Sequence, residues 1–125
     1  MTARIKAANV RTKRVSDPAS RDDGERILVD RLWPRGVSKE AAAIDDWLRD
    51  IAPSDALRGW FGHDPKRWDG FRRRYANELR ERRELLARLR KLARERVVTL
   101  VFAARDEAHN NAVALREVLL GRGSR

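Results

Sequence analysis

The sequence predicts an α/β fold of three strands and four or five helices, and three observations carry that expectation. Ile27, Leu28 and Val29 are consecutive apolar residues, and Val97 to Ala104 (V-V-T-L-V-F-A-A) is an almost wholly apolar run rich in β-branched residues. Runs of this kind are strands covered on both faces, as in sheets flanked by helices. Between and after them, apolar residues recur at three and four positions, the period of a helix.

At 125 residues, 42% apolar and 38% charged, the chain is long enough for one domain spanning 1–125 with a core of its own. It has no cysteine, which removes disulfides and thiolate chemistry. No apolar run approaches a membrane span and the N-terminus lacks the apolar segment of a signal peptide, so a bacterial-type cytoplasmic protein with no membrane partner is expected. The net charge of +10 is uneven: residues 66–96 hold thirteen Lys or Arg against five acids, and residues 1–14 hold five basic residues and no acid. Charge so concentrated points to an anionic partner. The competing explanation is compositional, since 24 of the 29 basic residues are Arg, as a GC-rich genome favours.

In chain order, residues 1–8 show no period and read as a frayed leader. Asn9 to Val15 alternates Val10, Thr12 and Arg14 with Arg11, Lys13 and Val15, a polar edge strand. Asp17-Pro18 through Asp22-Asp23-Gly24 is turn chemistry. That segment, roughly ten residues, is short for a parallel crossover and leaves the direction of the first strand open. The second strand rises from Gly24. Asp30 and Arg31 interrupt its apolar run, and Trp33-Pro34-Arg35-Gly36 closes it near Leu32.

Ser38 caps a helix with Glu40 in its first turn. Ala41, Ile44, Leu48 and Ile51 follow at helical spacing, with Trp47 beside them, until Pro53 stops it. Ser54-Asp55 starts a short helix that ends by Gly59 or Gly62, and His63-Asp64-Pro65 starts the next with Asp64 as cap. Trp68, Phe71, Tyr75 and Leu79 form a stripe that resumes at Leu86, Leu89 and Ala93. The charged stretch between predicts a break near Arg82. Val97 to Ala104 is the central strand. Arg105-Asp106 then leads into a last helix carrying Ala108, Ala112, Leu115 and Leu119, with Asp106 as N-cap and Gly121 as stop. Residues 122–125 read as a flexible tail.

The run L-V-D-R-L-W-P-R-G-V-S-K, with W-L-R-D-I-A-P-S, W-F-G-H-D-P-K-R-W, F-R-R-R-Y and D-E-A-H-N-N-A after it, resembles the DUF488 family in its short YeaO-like branch over roughly residues 10–120. The L-V-D-R-L-W-P-R-G run is a specific signature. The resemblance implies a compact α/β domain with a small, largely parallel sheet, here three-stranded and packed with four or five helices. It implies no particular activity. Relatives often read K-R-V-Y-D-P where this chain has Ser16, and L-L-Y-A-A where it has Phe102, while some carry His in place of Asn111. These departures argue against a mechanism that relies on those hydroxyls or that ring.

With the first strand parallel, all three strands end in polar groups at one sheet edge. These are Lys13, Arg14 and Asp17, then Asp30, Arg31, Trp33 and Arg35, then Arg105 and Asp106, with His109 and Asn110 in the first helical turn beyond. Open α/β sheets place ligand crevices there. Helix N-termini and forked guanidinium groups suit phosphate or carboxylate, and Trp33 or Trp60 is able to stack on a ring. The leading expectation is a polar cleft for a small phosphate- or carboxylate-bearing ligand, bound by Arg31, Trp33, Arg35, Arg105 and Asn110. Hydrolase or transferase chemistry there would use His109 and Asp30, and whether the protein is an enzyme stays open.

Each residue also has a structural explanation. Asp30 and Arg31 can pair with other charges in the sheet, Asp64 and Asp106 read as caps, Trp47 and Trp68 as packing, and His63 as a turn residue. There is no Gly-rich phosphate loop and no G-x-S-x-G elbow, and two histidines without cysteine argue against a structural zinc site. A carboxylate-rich metal site stays open without a spacing signature, no metal ligand is assigned, and the cofactor is unknown. The alternative functions lie in the Arg-rich region 72–96. One is a basic nucleic-acid-binding module, weak and indifferent to sequence, and the other is a protein-interaction surface. Glu78, Glu81, Glu84 and Glu95 are spaced to neutralise part of that charge against Arg74, Arg80, Arg82, Arg88 and Lys91. Oligomeric state is not indicated.

Overall fold

The computed structural model describes residues 5–122. Its strands are β1 (Val10–Arg14), β2 (Glu25–Leu28), β3 (Asp46–Trp47) and β4 (Val98–Phe102), all parallel and in the spatial order β1-β4-β2-β3. The helices are α1 (Lys39–Ala42), α2 (Asp55–Phe61), α3 (Trp68–Leu79), α4 (Arg83–Glu95) and α5 (Asn111–Leu119). The α/β class, the parallel sheet and the central place of β4, buried at every position, agree with the sequence expectation. The strand number is corrected from three to four.

The added strand comes from a segment read as helix. The expected helix from Ser38 to Pro53 stops at Ala42, with Ala43 in the left-handed region at φ 48°. The chain then pairs Asp46 and Trp47 with Ile27 and Leu28 before a 3-10 turn over Arg49–Ile51. The cause is tertiary. Arg26 on β2 is 3% exposed; its Nε and Nη2 donate to the Ala42 carbonyl at 3.2 and 2.8 Å, and Nε also to that of Ala43 at 3.1 Å. Those carbonyls would otherwise accept from the next helical turn. Asp45 completes the junction, its carboxylate accepting from the Arg26 amide at 2.8 Å while its own amide donates to the Arg26 carbonyl at 2.8 Å. Leu48 and Ile51 still reach the core, but from a strand end and a turn.

Alternation along the strands divides the core into two layers. Ile27, Val29, Leu100 and Phe102 join the larger cluster, which α2 to α5 cover. Leu28 and Val101 face the other way, under Ala42, Trp33, Val37, Ile44 and Trp47. The large layer is aromatic: the Phe61 and Phe71 rings stack at 4.4 Å, and the buried Tyr75 hydroxyl donates to the Ile51 carbonyl at 2.5 Å. A 3-10 turn over Arg80–Arg82 separates α3 from α4, the break expected from the charged gap.

Within the expected leader of residues 1–8, the last residues are ordered against the fold. Ala7–Asn9 forms a 3-10 turn, where Arg116 donates to the Ala7 and Val10 carbonyls at 2.9 and 2.5 Å. Ile5 packs against the core, while residues 1–4 of the expected leader and residues 123–125 of the expected tail lie outside the described residues. Among the described residues no helix is long and apolar enough to cross a membrane.

Candidate functional site

The β2 ladder ends at Leu28, short of Leu32, although the Val29 amide still donates to the Val101 carbonyl at 3.1 Å. Beyond it Asp30 ties three elements together. Its carboxylate accepts from the Ala103 amide after β4 at 2.9 Å and from the Asn111 side chain on α5 at 3.0 Å, while its carbonyl accepts from the Trp47 indole at 2.7 Å. Burial pushes the Asp30 carboxyl above its ordinary value, against those bonds and the opposing pull of Arg58.

Beside this junction, at the carboxyl ends of β2 and β4, opens a cleft of about 500 Å³. Its polar lining includes Asp30, Arg31, Arg35, Arg58, Asn110 and Asn111. Its walls include Trp33, Pro34, Pro53, Phe61 and Phe71. The W-P-R-G turn is held by the Trp33 indole, which donates to the Val37 carbonyl at 2.7 Å and stands edge-on to Trp47 at 5.7 Å. Arg31 Nε is buried without a hydrogen-bond partner; its nearest anion, Asp55, is at 3.6 Å and belongs more closely to Arg58, at 2.7 Å. Arg35 is exposed and, among the described residues, forms no ion pair. The alternative that both pair with other charges in the sheet is met only in part: Arg31 faces Asp55 on α2, and Asp30 is held by an amide and an asparagine.

Of the residues expected to converge, Asp30, Arg31, Trp33, Arg35 and Asn110 line the cleft, whereas His109 and Arg105 do not. The expected meeting of His109 with Arg31 and Arg35 is corrected: His109 precedes α5 in a loop where Asp106 and Trp68 hold its ring, outside the cleft lining. Asp106 is the organiser of that loop and not the helix cap, accepting from the Ala108 and His109 amides at 2.9 and 3.1 Å. Its contact with His109 Nδ1 at 2.9 Å, with those amides, holds its carboxyl below the usual range. The other side of the His109 ring meets Trp68 edge-on at 5.3 Å. Asn110 is the cap, 2% exposed; its side chain accepts from the Val113 amide at 3.0 Å and donates to the Asp106 carbonyl at 2.9 Å. It is a wall of the cleft with its polar atoms already engaged.

Sequence reasoning missed Arg58, His63 and Asn111 in the lining. Asn111 was visible as a replacement for His, and its bonds to the Val29 carbonyl and Asp30 explain a polar residue there. Arg58 on α2 and His63 just after it carry no local signal, because that segment reaches the cleft only through tertiary packing.

The basic region 72–96 differs from expectation in its pairing. Glu78 binds the Ser54 amide and hydroxyl at 2.8 and 2.5 Å and does not reach a helical neighbour. Arg74 lies over the Trp60 ring at 4.0 Å, Arg82 donates to the Asp50 carbonyl at 2.9 Å, and Arg88 pairs with Asp46 at 2.6 Å. For Glu78, Arg74, Arg82 and Arg88 the expected pairing along the helices is replaced by contacts to other elements, whereas Arg72 does pair within α3, with Asp69. Among the described residues no group of three or more His, Cys, Asp or Glu is placed to hold a metal ion.

Comparison with known proteins assigns the lineage. A family model described as "Inactive DUF488-N3 subclade" matches residues 9–125. An uncharacterised protein of Mycobacterium tuberculosis, Rv3073c, is 43% identical over 118 residues, which is 94% of this chain and 99% of the relative. The uncharacterised protein YeaO of Escherichia coli is 40% identical over 111 residues, 89% of this chain and 96% of the relative. No solved structure matches. With that family model and those relatives covering most of its length, the chain belongs to the DUF488 family.

Proposed function

We propose that the cleft at the carboxyl ends of β2 and β4 binds a small anionic ligand and does not turn it over. The observation that carries the reading is the convergence of Arg31, Arg35 and Arg58 on one cleft, with the Arg31 side chain 34% exposed. Guanidinium groups form charge-assisted hydrogen bonds with a carboxylate or phosphate oxygen, so a cleft that three of them line suits an anion. Against turnover stand the engagement of both Asp30 carboxylate oxygens and the separation of His109 from the cleft lining. The description of the matching subclade as inactive supports the same reading. Replacing Arg35 with Ala should weaken binding of small carboxylates and phosphates by about tenfold, the loss of one charge-assisted hydrogen bond. The melting temperature should stay nearly unchanged, because Arg35 is exposed and unpaired. Loss of stability in step with loss of binding would make Arg35 a structural residue instead.

A second reading, nucleic-acid binding by the helical region, is favoured by one observation. Arg73, Arg80, Arg83 and Lys91 are exposed and, among the described residues, have no ion-pair partner. Four such contacts to phosphates would lose about a hundredfold in affinity between roughly 50 and 200 mM salt. The expected result of a filter or anisotropy titration is weak binding at low salt that vanishes near physiological ionic strength. Tight binding that survives that salt, and is abolished by Arg73→Glu with Arg83→Glu, would move the function from the cleft to the helices.

A further inference from the structure

We propose that the occupant of the cleft is an organic monoanion, a carboxylate carried on an apolar, ring-sized body, and not a compact dianion such as inorganic phosphate. The proposal rests on the anion-binding reading above and specifies its ligand. Charge is the first argument. Arg31, Arg35 and Arg58 line the cleft, but Asp30 lines it too, and Asp55 stands 2.7 Å from Arg58 and 3.6 Å from Arg31. Three cations against two carboxylates leave a single positive charge in excess. One negative charge is thereby matched, and a second would face Asp30 without a cation of its own.

Shape and surface argue the same way. A cleft of about 500 Å³ lies within the range of roughly 300–1,000 Å³ typical of organic-ligand sites. Trp33, Pro34, Pro53, Phe61 and Phe71 make most of its wall apolar, which a bare oxyanion cannot use. At the lip lies Leu32, 67% exposed, the one large apolar side chain left in solvent among the described residues. An apolar ligand body would cover it. The Arg31 side chain, 34% exposed, carries the planar guanidinium fork that a carboxylate matches.

The test uses the full chain labelled with nitrogen-15 and four probes: naphthoate, its neutral analogue naphthamide, naphthyl phosphate and inorganic phosphate. The readout is the movement of the Trp33 indole and Arg31 Nε cross-peaks on titration. Naphthoate is expected to bind about tenfold more tightly than each of the other three probes. Arg58→Gln should remove most of that preference and leave naphthamide unaffected. Arg31→Gln is the second variant, reporting on the same preference if Arg58→Gln folds poorly. Tighter binding of either phosphate probe would overturn the monoanion assignment while sustaining the anion reading. Equal binding of naphthoate and naphthamide, or no movement with any probe, would overturn both.

Discussion

Arg26→Met should cost about 3–5 kcal/mol of folding stability, the loss seen when one partner of a buried ion pair is removed. Arg26 and Asp23 are 3% and 1% exposed, and Arg26 Nη1 meets the Asp23 carboxylate at 2.7 Å. Met preserves most of the apolar stem but withdraws every donor. Asp23 then keeps only Lys13, at 3.1 Å, and the Ser20 amide, at 3.0 Å, while the Ala42 carbonyl loses its Arg26 donors. Because those bonds stop α1 and turn the chain into β3, the loss should extend to the layer on which Trp47 and the cleft residue Trp33 pack. Denaturant unfolding of the variant measures this, and a loss below about 1 kcal/mol would mean that the network relaxes at little cost.

The same pair sets the acid limb of stability. Burial works to raise the Asp23 carboxyl, but the Ser20 amide, Lys13 and Arg26 outweigh it and hold the group below its ordinary value of 3.8. A carboxyl depressed on folding stabilises fully above its unfolded value, and that contribution disappears as pH falls through the folded one. Asp30 has the opposite sign, since burial raises it, so its ionisation removes stability as pH climbs above 3.8 toward the folded value. The structural carboxylate supports the fold on ionising, and the carboxylate in the cleft opposes it.

This contrast bears on what the sequence could disclose. The apolar runs at Ile27–Val29 and Val97–Ala104 were readable because a buried strand needs no partner information to be recognised. The caps Ser38, Ser54 and Asp64 were readable because a cap acts within three residues. β3 was not, since the residues that make it a strand are held by Arg26, whose role follows from burial and not from local pattern. The polar end of the sheet was visible at Asp30 to Arg35, where charge interrupts an apolar run. The exclusion of His109 was hidden because Asp106 can serve as helix cap or as loop anchor with the same neighbours in sequence. Arg58 was hidden because a lone arginine on a short helix reads as solvated charge until α2 is packed against the sheet.

Gly24→Ala should cost roughly 3 kcal/mol or more, since it combines backbone strain with overpacking, each worth about 1–3 kcal/mol. Gly24 sits at φ 61° and ψ −131°, a region that residues with a side chain avoid. A Cβ there would stand 2.2 Å from the Val97 carbonyl oxygen and 2.9 Å from its carbon. That oxygen accepts from the Glu25 amide at 3.0 Å, so the clash falls on the first rung joining β2 to β4. A backbone atom cannot rotate aside as a side chain would. Gly36→Ala supplies the control, because Gly36 has φ 77° but nothing within 4 Å of its would-be Cβ. It should cost only the strain, roughly 1–2 kcal/mol. Equal losses at the two positions would show that conformation alone, and not the close approach of β4, requires glycine at position 24. Gly36 closes the W-P-R-G turn beside the cleft, so its variant should also disturb binding more than stability. Gly24→Ala should weaken the sheet on which the whole cleft stands.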